Sequence, residues 1–250
     1  MDIVEALRAD DAAVAVVGAG GKKTTMYALA ERLDRAVVTA AVRIPIFDSH
    51  VGAVAVTEDP VGRLASAENG EFPLGLVPER EREDRYLGYD AAVVDDLIAA
   101  HDGPVLIKAD GARMREFKAP KETEPQIPSR TDVVVPVASA SVVGEPLTDE
   151  RVHRPERVVA VAEAAGVDAA VGEPVTPEVV GAVLASREGG LKGVPEGATA
   201  IPLVNKVDDD AREADARAVA AAFHEHHDGD VPVPHVVLGR LIDGAVADAV

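Results

Sequence analysis

"VVGAGGKKTTMYALA", residues 16–30, decides how the rest of the chain is read. Two valines close an apolar run, and four residues follow that are nearly all glycine. Two lysines and two threonines then open a segment with helical character. A loop with so little side chain lets backbone amides turn inward, and the helix behind it presents the positive end of its dipole; together they favour a phosphate. In that arrangement Gly18, Ala19, Gly20 and Gly21 form the cradle, and Lys22 or Lys23 reaches the outer phosphates. Thr24 or Thr25 offers a hydroxyl to Mg2+. The match to G-x-x-x-x-G-K-[ST] is incomplete: Val16 stands where its first glycine belongs, and Lys23 follows Lys22 where Ser or Thr is expected. A dinucleotide fingerprint fits worse, since its third glycine would fall on Lys23 and no acid ends the second strand near 39–43. A plain strand-to-helix turn with solvated lysines is the alternative. The order of strand, glycines, lysine, threonine and helix favours the phosphate loop.

The remaining chain alternates apolar runs with amphipathic segments. Periodicity predicts a short helix at 2–9 and further helices at 23–33, 88–101, 150–165, 176–187 and 210–227. It predicts strands at 13–17, 35–42, 51–56, 104–110, 132–138, 199–205 and 235–239. The strands "RAVVTAAV" (35–42) and "VGAVAV" (51–56) read as buried, and the Pro-, Gly- and Glu-rich segment 68–84 as a surface loop. Continuous Val-rich strands between amphipathic helices argue a mainly parallel sheet covered on both faces. With the glycine loop after the first strand, the expected fold is a P-loop NTPase-like α/β domain. No repeat or dividing linker is visible, so residues 1–250 read as a single nucleotide-binding domain.

Sheets of this kind bind ligands at the carboxyl ends of their strands. Asp110, in "VLIKADGA", ends one apolar strand, where a P-loop protein keeps the carboxylate that holds Mg2+. Thr24 and Asp110 are therefore the candidate metal ligands, and Lys22 and Asp110 the candidate catalytic pair. A second strand ends in "LVNKVD": Asn205, Lys206 and Asp208 fit the N-K-x-D pattern of GTP-binding P-loop proteins, whose Asp accepts hydrogen bonds from the guanine edge. The chain has only seven lysines, and Lys22, Lys23, Lys108 and Lys206 lie in these motifs, with Lys118 and Lys121 just downstream. Solvated decoration would not concentrate in this way.

Composition excludes several classes. The 44 acids against 25 bases leave a net charge of −19, scattered rather than blocked into a tail. That pattern reads as solvation in a salty cytoplasm and argues against nucleic acid, whose phosphates need clustered bases. With no cysteine there is neither a disulfide framework nor thiolate chemistry. No apolar run approaches the ~18 residues of a membrane span, and "MDIVEALRAD" is too acidic for a signal peptide. The expected location is cytoplasmic, away from membranes.

Six motifs in order, "GAGGKKTTM", "KADGARMREFKAPKETEPQIP", "VHRPE", "TPEVV", "GGLKGVP" and "LVNKVD", resemble the YqeC family across residues 3–240. The family is described as accessory proteins of selenium-dependent, molybdenum-containing hydroxylases. The resemblance implies a P-loop nucleotide-binding protein acting in maturation of such a hydroxylase or its selenium-modified cofactor. By position, Gly18, Gly20, Gly21 and Lys22 correspond to the family's phosphate loop, Asp110 to its strand-end acid, and Asn205, Lys206 and Asp208 to its base motif. The usual family forms read "GGKTT" and "EADGA". Here Lys23 replaces the first threonine and Lys108 the glutamate, which puts positive charge where metal ligands or neighbouring acids are expected.

The leading expectation is a GTP-binding accessory protein, at most a slow GTPase, with Mg2+ only weakly required because Lys22, Lys23 and Lys108 crowd the phosphates. The alternatives are an ATP-using ligase or kinase acting on a small molecule, and a non-catalytic module that holds a nucleotide or a nucleotide-bearing cofactor. His153 and Arg154 read mainly as structural, with phosphate sensing as the functional alternative. His224, His226, His227, Asp228 and Asp230 read as the end of an exposed helix rather than a metal site. Glu122, Glu124 and Pro125 line the crevice below Asp110 without evident chemistry of their own.

Overall fold

The computed structural model describes all residues from Met1 to Val250. A one-turn helix α1 (Ile3–Ala6) leads into β1 (Ala13–Gly18), α2 (Lys22–Ala30), β2 (Val37–Ala40), β3 (Ile44–Pro45) and β4 (Ala53–Val56). Then follow α3 (Pro60–Ala65), β5 (Leu74–Val77), β6 (Arg85–Tyr86), α4 (Ala91–Ala99), β7 (Val105–Lys108), β8 (Phe117–Lys118) and β9 (Val133–Ser139). The second half contains β10 (Val152–His153), α5 (Pro155–Ala164), α6 (Pro177–Ala185), β11 (Thr199–Ala200), β12 (Leu203–Asn205), α7 (Asp210–His226), β13 (Val237–Arg240) and β14 (Ala245–Ala249). Helix starts carry their sequence signals. Pro60, Pro155 and Pro177 open α3, α5 and α6, and the side chains of Asp59, Thr176 and Asp209 cap α3, α6 and α7.

Ten strands share one sheet, ordered β14-β13-β12-β9-β1-β7-β2-β5-β4 with β11 beside β9. Its pairings are parallel except that of β13 with β14. The reason is visible in β1. Val14 and Val16 pack with α1 and α2 on one face, while Ala15 and Val17 pack with α5, α6 and α7 on the other. A strand buried on both faces needs apolar residues throughout, and each such Val or Leu contributes roughly 1.5–3 kcal/mol. Helices α3 and α4 cover the far half of that second face, over Val37, Leu74, Val105 and Ile107.

The expected α/β class with a mainly parallel sheet is what the chain adopts. Three local expectations change. Segment 68–84 is not only a surface loop, because Leu74–Val77 is a fully buried strand between β2 and β4. Four apolar residues suffice there, and Gly75 leaves room for the Phe47 ring. The 51–56 strand is not buried: β4 has only β5 beside it, at the sheet edge, and is half-exposed. The 150–165 helix begins only at Pro155, since Val152 and His153 pair with β8 and Arg154 adopts a left-handed conformation.

The order of the sheet fixes the site. From β1 the chain goes to β2, on the far side of β7, whereas β9 lies against the opposite edge of β1. The crevice therefore opens at the carboxyl end of β1, where Gly18 faces Asp110 and Ser139 lies nearby.

Candidate functional site

The loop after β1 runs from Gly18 into the first turn of α2 at Lys22. No protein acceptor reaches the amides of Gly21, Lys22, Lys23 or Thr24, and Gly21 provides no side-chain cap. These are the orphan donors of a helix N-terminus. The preceding amides are already engaged: Gly18 N donates to Asp110 Oδ2 at 2.9 Å, Ala19 N to Val137 O at 2.9 Å, and Gly20 N to Arg115 O at 3.0 Å. The cradle predicted over Gly18–Gly21 is thus open only from Gly21 onward. A small pocket lined by Gly18, Asp110, Lys118, Pro120 and Pro125 is about 20 Å³ and has room for about one water.

Packing alone already demands the glycines. Gly20 has φ +88°, and a Cβ there would meet Glu116 O at 2.6 Å and Ser139 Cβ at 2.7 Å. A Cβ on Gly21 would collide with the Asn205 amide. Gly20 lies in a loop, yet a valine there would disturb the fold. We expect Gly20→Val to lower the melting temperature by several degrees as well as remove anion binding. A variant with parental melting temperature would show that the loop yields without cost.

Lys22 is buried and turns back on the loop. Its Nζ donates to Gly18 O and lies 2.9 Å from Asp110 Oδ1, off the hydrogen-bonding direction. Burial pulls this ammonium below the usual lysine range, opposed by Asp110. Asp110 itself is 1% exposed. Burial pushes its carboxyl up, but Lys22 and Lys118 outweigh that and hold it below the ordinary range. Thr25 is also buried, its hydroxyl donating to Gly21 O at 3.1 Å; Lys23 and Thr24 stay partly exposed.

Lys108, expected to crowd the loop with Lys22 and Lys23, ends instead on backbone carbonyls. Its Nζ donates to Arg43 O and Asp110 O, both at 2.8 Å, and makes no salt bridge. Burial, with Lys22 adding to it, brings its pKa down to about 7, so near neutrality it is only partly charged. The cation that pairs with Asp110 beside Lys22 is Lys118, at 2.9 Å from Oδ2. Lys118 is placed by the β8–β10 pairing, which also sets His153 beside it in register.

Glu124 has more to do than line the crevice. It accepts from Lys118 at 2.8 Å and, through both oxygens, from Arg154 at 2.9 and 3.0 Å. Burial opposes its ionisation, but Arg154 and Lys118 bring its pKa down to about 2. His153 is kept neutral: burial first, then Arg154 and Lys118, lower its pKa to about 4. Only the run of lysines in a lysine-poor chain hinted at this network.

Asn205 joins the two halves of the site. Its amide donates to Gly20 O at 2.9 Å and its oxygen accepts from Leu241 N at 3.0 Å, so both ends of the side chain are committed to the fold. Lys206, in a left-handed conformation, reaches both Glu116 oxygens at 2.7 Å. Asp208 is exposed, and the helix cap after it is supplied by Asp209 instead. The His224–Asp230 segment does not assemble a metal-binding cluster. Its rings pack on Phe223.

A family model described as YqeC protein matches residues 14–156, more than half of the chain. The chain belongs to the YqeC family. The matched segment carries the loop, Lys22, Asp110, Lys118, Glu124 and Arg154; Asn205, Lys206 and Asp208 lie beyond it. An Escherichia coli (strain K12) protein described as "Uncharacterized protein YqeC" is 27% identical over 198 residues, covering 77% of this chain and 75% of the relative. No helix is long and apolar enough to cross a membrane.

Proposed function

We propose that the chain binds a nucleotide through its phosphates at the N-terminus of α2, and that GTP is the preferred ligand. The observation that carries this reading is an excess of positive charge around Asp110 and Glu124 beside open donors. Lys22, Lys118 and Arg154 set three cations against two carboxylates, Asp110 and Glu124, which leaves one positive charge unmatched. Four free amides lie on the same turn as Lys22. An anion there completes both the charge balance and the hydrogen bonding, and it competes with Asp110 for Lys22.

Preference for guanine is supported by Asp208, an exposed carboxylate three residues after the Asn205 anchor to the loop. GTP should outcompete ATP by at least about tenfold, or about 1.4 kcal/mol, and Asp208→Asn should erase that difference. Calorimetric titration of both nucleotides at high salt checks this; equal affinities in the parent would reduce N-K-x-D to coincidence and favour the ligase or kinase reading. Hydrolysis is slow or absent without a partner, because Asp110 is 1% exposed, with Oδ1 against Lys22 and Oδ2 against Lys118, and neither oxygen is open to an attacking water. The family resemblance extends the proposal to a client, a molybdenum hydroxylase or its selenium-modified cofactor. Deleting the gene should then lower molybdenum hydroxylase activity in the cell; unchanged activity would remove that client.

A further inference from the structure

Lys118 makes no hydrogen bond to the loop after β1, yet its ammonium is surrounded by oxygens. Its Nζ donates to Gly111 O at 2.7 Å and Glu124 Oε2 at 2.8 Å, and it forms an ion pair with Asp110 Oδ2 at 2.9 Å, so three oxygens surround it. The side chain is 1% exposed. Two carboxylates and a carbonyl are the hard oxygen set that divalent cations choose, and here that set closes around an amine. Arg154 seals the outer side through Glu124. Lys22 and the Gly18 amide take up what remains of Asp110.

Mg2+ does not fit this arrangement. It demands about six oxygens in octahedral geometry at about 2.0–2.1 Å, and the space between the two carboxylates already holds the ammonium.

We propose that Lys118 is a tethered cation occupying the position at Asp110 that a divalent ion would take, so that anion binding at α2 needs no metal there. The second half of that statement rests on the phosphate reading; the first does not. It also moves the cause of a weak Mg2+ requirement from Lys22, Lys23 and Lys108 crowding the phosphates to Lys118 buried against Asp110. The ammonium is tied to the chain and oriented by the β8–β10 pairing.

Mn2+ titration of the free protein, followed by the ion's paramagnetic resonance signal, tests the first half. The parent should leave millimolar Mn2+ unbound. Lys118→Ala empties the oxygen cage and should bind one ion, with a rise in melting temperature on addition of Mn2+. Lys118→Ala combined with Glu124→Gln should hold that ion at least about tenfold more weakly. If Lys118→Ala folds only when Mn2+ is present, the expectation is met. If it stays unfolded with Mn2+, or folds and takes up no ion, the proposal is wrong. It is equally overturned if the parent binds one Mn2+ that Asp110→Asn removes. GTP affinity measured in EDTA and in Mg2+ tests the second half: the parent should change by less than about tenfold, and a larger loss in EDTA refutes it. A parent that binds no GTP counts against the phosphate reading alone, and the Mn2+ results still decide the place of Lys118.

Discussion

Asp110→Asn should lose about 3–5 kcal/mol of folding stability, the usual cost of removing one partner from a buried ion pair. Shape is retained and the amide oxygen can still accept from Gly18 N, so the loss reports charge. Lys22 and Lys118, 6% and 4% exposed, are left facing each other across a neutral group. At about 2–4 °C per kcal/mol for a chain of this size, the melting temperature should fall by roughly 6–20 °C in calorimetry. Added pyrophosphate should restore part of it by supplying the missing negative charge. A variant within 1 kcal/mol of the parent would mean that the two ammonium groups discharge or turn away at little cost.

The pH dependence of the parent follows from the same groups. Asp110 and Glu124 have folded pKa values below their unfolded ones, so their contribution is complete above the unfolded values of about 4–4.5. It is lost as pH falls, for Glu124 through about 2. His153 acts in a higher window. It stays neutral in the fold down to about 4 while the unfolded chain takes up its proton near 6.5, so stability rises with pH between those values. Replacing His153 by Asn should flatten the upper window and leave the lower one; an unchanged curve between pH 4 and 6.5 would contradict the burial of its ring.

Lys22→Met should weaken GTP binding by about 10- to 100-fold, the value of a charge-assisted hydrogen bond to phosphate, about 1.5–3 kcal/mol. The fold should survive better than in Asp110→Asn, because Asp110 keeps Lys118 and the Gly18 amide. Comparing the two variants separates binding from folding. Lys22→Met should lose affinity with little loss of stability, and Asp110→Asn the reverse. If Lys22→Met binds GTP as the parent does, the ammonium serves only to neutralise Asp110, and the loop is a turn.

Residues 16–30 by themselves determine strand, turn and helix, because their information is local. Apolar continuity marks β1, the glycines permit the turn, and the following residues propagate α2. The Val-rich strands at 105–108, 133–139 and 203–205 likewise announce a doubly covered parallel sheet, and its rules place Asp110 and Asn205 at the crevice. The strand Leu74–Val77 was hidden because four apolar residues inside a Pro- and Glu-rich segment carry no period.

What only the tertiary structure decided is the chemistry between the side chains. Lys108 and Lys118 are both lysines near Asp110 in sequence, yet one ends on backbone carbonyls and the other inside a cage of carboxylates. Likewise, Asn205 sits at a strand end that sequence could locate, but its grip on Gly20 spans 185 residues. The glycine pattern suggested a phosphate, whereas the fold shows that Ser139, Glu116 and Asn205 already exclude any side chain there. Periodicity fixes which face of an element a residue occupies, because that depends on backbone geometry within a few residues. The partner of a long, flexible charged side chain depends on which distant strands pair beside it, here β8 with β10, and that pairing follows from the packing of the whole sheet.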